Sequence, residues 1–85
     1  MVEFEYELKD PAGFHARPAT KMVQEASKFR CEIKIKCDGK EASGKRIFAI
    51  LGLGAKEGDK VTFVFDGPDE KEALEVVRKF VEANM

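Results

Sequence analysis

Cys31-Glu32-Ile33-Lys34-Ile35-Lys36-Cys37-Asp38-Gly39-Lys40 decides the fold class of this chain. Cys31, Ile33, Ile35 and Cys37 alternate with Glu32, Lys34 and Lys36. Period-two patterning of this kind marks a strand with one buried and one wet face. Asp38-Gly39 then supplies a two-residue hairpin, because a type I′ turn needs positive φ at both central positions. The chain returns as a short strand over Lys40 to Ser43, which Gly44-Lys45 breaks. Half-wet antiparallel strands in a chain that also carries helices point to an α+β protein, since parallel strands are normally buried on both faces.

Reading outward from the hairpin fills in the remaining elements. Val2, Phe4, Tyr6 and Leu8 alternate with Glu3, Glu5 and Glu7, which gives a first strand. Lys9-Asp10-Pro11-Ala12-Gly13 is turn chemistry. From Ala16 to Phe29 the period becomes helical, with Ala19, Met22, Val23, Ala26 and Phe29 on one face. Arg46 to Leu53 holds the apolar run Ile47-Phe48-Ala49-Ile50-Leu51, read as one to two helical turns ended by Gly52 and Gly54. Val61, Phe63 and Phe65 point inward from a fourth strand, stopped by Gly67-Pro68. Asp69 is expected to cap a final helix, with Glu72 at the capping-box position. That helix is expected to run to about Ala83 on an apolar face of Ala73, Leu74, Val77, Phe80 and Val81. The order is β-α-β-β-α-β-α, an open-faced sandwich in one domain spanning residues 1–85.

Composition removes several classes of function. Fifteen basic and sixteen acidic residues leave a net charge of −1, with the signs interspersed. A general nucleic-acid binder would carry a basic stripe. No apolar run approaches the ~20 residues of a membrane span, and the acidic, alternating N-terminus is unlike a signal peptide. A cytoplasmic protein with no membrane insertion is expected. Cys31 and Cys37, at the two ends of one strand, would lie ~20 Å apart, beyond disulfide reach. One histidine and two distant thiols lack zinc-ligand spacing, so neither metal nor cofactor is expected.

The chemistry concentrates at His15, the only histidine. It stands in Gly13-Phe14-His15-Ala16-Arg17-Pro18-Ala19, off both apolar patterns, so packing does not account for it. Pro18 suits the first turn of a helix. A helix start presents unpaired N–H groups and the positive dipole end to anions. The expected donors are the amides of Ala16 and Arg17, and the Arg17 guanidinium adds a planar fork that suits phosphate. Neutral imidazole is a nucleophile near pH 7, and the N–P bond it forms is weak enough to pass on. Serine hydrolase chemistry lacks its parts, since Ser27 and Ser43 sit in other elements. Gly52-Leu53-Gly54 lacks the phosphate-loop pattern. The short apolar helix cannot bury every side, and an exposed apolar patch marks an interaction surface. Lys21, Lys28, Lys45 and Arg46 are candidates to frame that patch with positive charge.

These residues carry a resemblance that covers essentially the whole chain. Gly13 to Ala19 is similar to the active-site signature of the HPr family, the histidine-containing phosphocarriers of the bacterial phosphoenolpyruvate:sugar phosphotransferase system. Val23-Gln24-Glu25-Ala26-Ser27-Lys28-Phe29 resembles the end of the family's first helix, Asp38-Gly39-Lys40 its hairpin, and Leu51-Gly52-Leu53-Gly54-Ala55 the exit from its short helix. The resemblance implies a four-stranded antiparallel sheet of order 1-4-2-3, with three helices on one face. It implies that His15 accepts a phosphoryl group on Nδ1 from phosphorylated enzyme I and gives it to sugar-specific IIA domains, with Arg17 assisting. Ile47, Phe48 and Leu51 would form the docking patch of a monomer. Such a protein is a phosphoryl-transfer intermediate rather than a turnover enzyme. One departure stands out. Many Gram-positive relatives carry a regulatory serine at the start of the short helix, and this chain has Arg46 there. A regulatory docking module, or a carrier in a nitrogen-related branch, are the alternative readings.

Overall fold

Alternation in the sequence becomes alternation in space. The computed structural model describes residues 1–85. Strand β1 (Val2–Glu7) leads to helix α1 (Ala16–Ala26), strands β2 (Glu32–Cys37) and β3 (Lys40–Ser43), helix α2 (Ile47–Gly52), strand β4 (Lys60–Asp66) and helix α3 (Glu70–Asn84). The strands form one antiparallel sheet in the order β1-β4-β2-β3. The last strand in sequence thus lies between the first two, as the family resemblance implied.

Register aligns the apolar sets. Phe63 pairs with Phe4 on one side and Ile35 on the other, and Phe65 pairs with Val2 and Ile33. Phe4 stacks on Phe63 with ring centroids 4.9 Å apart, a geometry favourable to aromatic pairs. The helices cover this face. Met22, Ala26, Ile50, Ala73, Val77 and Val81 are buried against Ile33, Ile35, Val61, Phe63 and Phe65. The opposite face carries Glu3, Glu5, Lys34, Lys36 and Thr62. The β2–β3 hairpin has the expected turn, with φ of +50° at Asp38 and +78° at Gly39. No helix is long and apolar enough to cross a membrane.

Several element ends depart from the sequence reading; β1 stops at Glu7, before Leu8, and α2 spans only Ile47–Gly52. Helix α1 stops at Ala26 rather than Phe29, since Ser27 caps it and Lys28 and Phe29 continue as turns bonded to Glu25 and Ala26. Strand β2 starts at Glu32, because the Cys31 N–H goes to Asp69 instead of a ladder partner. The capping box on α3 is absent. Asp69 is the N-cap residue but caps nothing with its side chain. Its carboxylate accepts from the backbones of Arg30 and Cys31, while Glu70 accepts the Gly67 N–H at 3.1 Å. Helix α3 runs one residue past the expected end, to Asn84.

Candidate functional site

The loop that presents His15 is built by short-range hydrogen bonds. Asp10 Oδ1 accepts the Ala12 N–H at 2.8 Å, and the Asp10 carbonyl accepts the Gly13 N–H at 2.8 Å. Gly13 sits at φ +65°. A Cβ there would run into the Ala55 carbonyl oxygen and lie 2.8 Å from Lys56 Cα. Only glycine allows that approach without strain. The next residue, Phe14, is buried and donates its N–H to the Ala55 carbonyl at 3.0 Å. His15 is thereby carried on a loop fixed to the segment that leaves α2.

His15 is the N-cap of α1, with extended backbone at φ −95° and ψ −176°. Its carbonyl accepts the Ala19 N–H at 3.0 Å, the bond that opens the helix. Its side chain makes no cap bond. The imidazole is therefore free of structural duty, with 37% of its side chain exposed. Asp10 Oδ2 lies 3.6 Å from Nε2, beyond hydrogen-bond range but within electrostatic contact.

The helix start meets the requirements for an anion site. No protein group accepts the N–H of Ala16 or Arg17, as expected for the first turn of a helix. Pro18 is buried and has no N–H to offer. No acidic residue occupies the first turn. The exposed Arg17 lines an open depression together with His15, Asp10, Lys21 and Asn84. His15, Ala16 and Arg17, grouped by sequence, are thus grouped in space. Asp10 and Asn84 escaped the sequence reading. Asp10 reads as ordinary turn chemistry, and Asn84 arrives from the far end of the chain.

Helix α2 separates its apolar residues. Ile50 is completely buried, Ile47 and Leu51 are half-buried, and Phe48 is 84% exposed. The expected framing by lysines is weaker than the sequence suggested. Lys45 Nζ donates to the Phe29 carbonyl at 2.7 Å, and Lys28 pairs with Glu25 at 3.3 Å. Lys45 therefore secures the start of α2 to the turn after α1. Arg46 is the N-cap of α2 and makes no side-chain cap bond.

Both cysteines are buried and unpaired. Burial, then the neighbouring Asp69, pushes the Cys31 thiol up to about 11. Burial is also the main cause that raises Cys37. Cys37, Asp38 and Asp59 offer ligand atoms within 4.8 Å of one another, a juxtaposition invisible in sequence.

Comparison with known proteins agrees with this architecture. The family described as PTS-HPr, "PTS HPr component phosphorylation site", matches residues 2–83. The phosphocarrier protein HPr of Mycoplasma genitalium is 41% identical over 85 residues, covering 99% of this chain and 97% of its own. The HPr-like protein Crh of Halalkalibacterium halodurans is 42% identical over 82 residues, covering 96% and 98%. Among solved structures, HPr-C-His from Thermoanaerobacter tengcongensis superposes with a TM-score of 0.92 at 38% identity, covering 98% of this chain and 93% of that one. Crh of Bacillus subtilis, described as a domain-swapped dimer, gives a TM-score of 0.78 at 35% identity, covering 100% and 98%. A match that spans nearly the whole chain, in sequence and in fold alike, has one meaning: the chain belongs to the HPr family of phosphotransferase-system phosphocarriers.

Proposed function

We propose that this chain accepts a phosphoryl group on His15 Nδ1 from phosphorylated enzyme I, with phosphoenolpyruvate as ultimate donor, and passes it to sugar-specific IIA domains in the cytoplasm. The observation that carries this reading is the state of the α1 start. His15 caps the helix through its backbone alone, which frees the imidazole. The Ala16 and Arg17 amides and the Arg17 guanidinium stand ready for phosphoryl oxygens. Such donors act most strongly when fixed before charge develops. Phe48, flanked by Ile47 and Leu51, serves as the docking patch for donor and acceptor. Residues 1–85 act as a single domain.

Arg46 sits where many Gram-positive relatives carry a regulatory serine. It has no hydroxyl to phosphorylate, so the chain is a carrier without that switch. Ser43 does not inherit the role. Its Oγ accepts the Lys45 N–H at 3.2 Å within the turn before α2.

Incubation with phosphoenolpyruvate and enzyme I tests the reading. The expected product is an acid-labile, base-stable phosphate that His15→Ala abolishes. Label that survives the substitution would refute it. Similarity to Crh favours a second reading, a regulatory module that acts by docking. That module would bind its partner whether or not His15 is labelled. The expected oligomeric state is the monomer. A swapped dimer of the kind described for Bacillus subtilis Crh would appear as doubled mass in light scattering.

A further inference from the structure

We propose that Asp10 is a positioning residue for the phosphoryl transfer, holding the His15 proton on Nε2 and balancing the ring charge that forms when Nδ1 is phosphorylated. The inference rests on the reading of His15 as the phosphoryl acceptor. Asp10 is fixed on three sides. Its N–H donates to the Met85 carbonyl at 3.0 Å, its own carbonyl accepts the Gly13 N–H, and Oδ1 accepts the Ala12 N–H. Only Oδ2 remains, and it faces His15 Nε2 at 3.6 Å. The carboxylate thus lies beside Nε2 of the imidazole.

The chemistry follows from that placement. A neutral imidazole carries one proton, and a carboxylate beside Nε2 favours the tautomer with the proton there. The Nδ1 lone pair is then free. In the transfer step it forms a new N–P bond as the donor's P–N bond breaks, and that electron pair returns to the donor nitrogen. The Nε2 proton stays in place. The product ring carries a positive charge and its phosphoryl group is a dianion. Asp10 meets the ring charge, while Arg17 and the helix start meet the phosphoryl oxygens. Arg17 and Lys21 line the same depression, which offsets the repulsion between the Asp10 carboxylate and an arriving phosphate.

Two variants separate charge from architecture. Asp10→Asn removes the charge but keeps an oxygen that accepts the Ala12 N–H. Asp10→Ala removes both. The full chain, labelled with 15N in histidine, is followed by the chemical shifts of the two ring nitrogens and by the rate of phosphorylation from enzyme I. The expected result is a dominant Nε2–H tautomer in the parent and a shift toward the other tautomer in Asp10→Asn. Transfer is expected to fall about fivefold, the scale of one partly exposed charge contact. An unchanged tautomer ratio and unchanged rate in Asp10→Asn would overturn the role of Asp10 while His15 is still labelled. Absence of label on the parent's His15 would overturn the underlying site reading instead. A purely structural role would leave Asp10→Asn like the parent and damage Asp10→Ala alone.

Discussion

The carboxylate of Asp69 accepts the Cys31 N–H at 2.9 Å, closing a link across 38 residues of chain. Its other oxygen accepts the Arg30 N–H at 2.8 Å. One side chain thus pins the turn between α1 and β2 to the start of α3. The two backbone donors, Arg30 first, hold the Asp69 carboxyl below its usual value of 3.8. A carboxylate with a lowered folded pKa contributes stability that is present above the unfolded pKa. That contribution is lost as pH falls through the folded value. Acid titration of stability should therefore show a step below about pH 4 that Asp69→Ala removes. Urea midpoints from neutral pH to about pH 2 would measure it. A parallel pH profile in Asp69→Ala and the parent would refute the link.

Gly13→Ala is expected to damage the site more than any conservative change at its surface. The positive φ costs an alanine about 1 kcal/mol, and the clash with the Ala55–Lys56 backbone adds to that. The loop has to move, and His15 moves with it. Both lowered denaturation midpoint and slowed phosphorylation are expected. Retention of the parent's rate would show that the loop tolerates displacement.

Phe48 and Ile50 are two residues apart and should behave as opposites. Phe48→Ala removes a side chain that is 84% exposed, so stability should change by less than about 0.5 kcal/mol. Binding to enzyme I, followed by calorimetry, should weaken. Ile50→Ala empties a fully buried position and should cost about 2–5 kcal/mol. A destabilised Phe48→Ala with normal binding would reverse the assignment of the two faces.

Arg46 caps α2 without a side-chain bond. Serine and aspartate are preferred caps because their oxygens accept the first free amides of a helix. Arg46→Asp should therefore stabilise the chain by about 0.5–1 kcal/mol, read from thermal or urea unfolding. In the parent, mass spectrometry after treatment with a kinase that modifies the serine-bearing relatives should find no phosphate on residues 43–48. Phosphate on Ser43 would contradict the absence of a switch.

Much of this fold is legible in the chain because its strands are half wet. Glu3, Glu5 and Glu7 against Phe4 and Tyr6 leave one possible orientation for β1. Asp38-Gly39 likewise fixes the hairpin locally. Strand order is another matter. The pairing of Phe4 with Phe63 spans most of the sequence, and no local signal encodes it; family resemblance supplied it. The capping box expected at Asp69 is absent for a physical reason. Asp69 satisfied the local rule for a cap, yet two backbone donors from a distant turn offered its carboxylate a better use. Ile47 to Leu51 gave an apolar helix with no internal clue to its faces, and only packing against α1 and β3 sends Ile50 inward and Phe48 outward. His15 and Arg17 were readable because their grouping is sequential. Asp10 was not, because the direction of a turn side chain depends on how the turn closes.

The backbone bond from Phe14 to the Ala55 carbonyl has a mechanical consequence. It ties the loop that carries His15 to the exit from α2. A partner seated on Phe48, as the proposed function has it, would find the imidazole at a set offset. In the proposed relay, donor and acceptor would then compete for one berth and take turns. Throughput of that proposed relay would depend on how quickly each departs, so an over-tight grip by either would stall it.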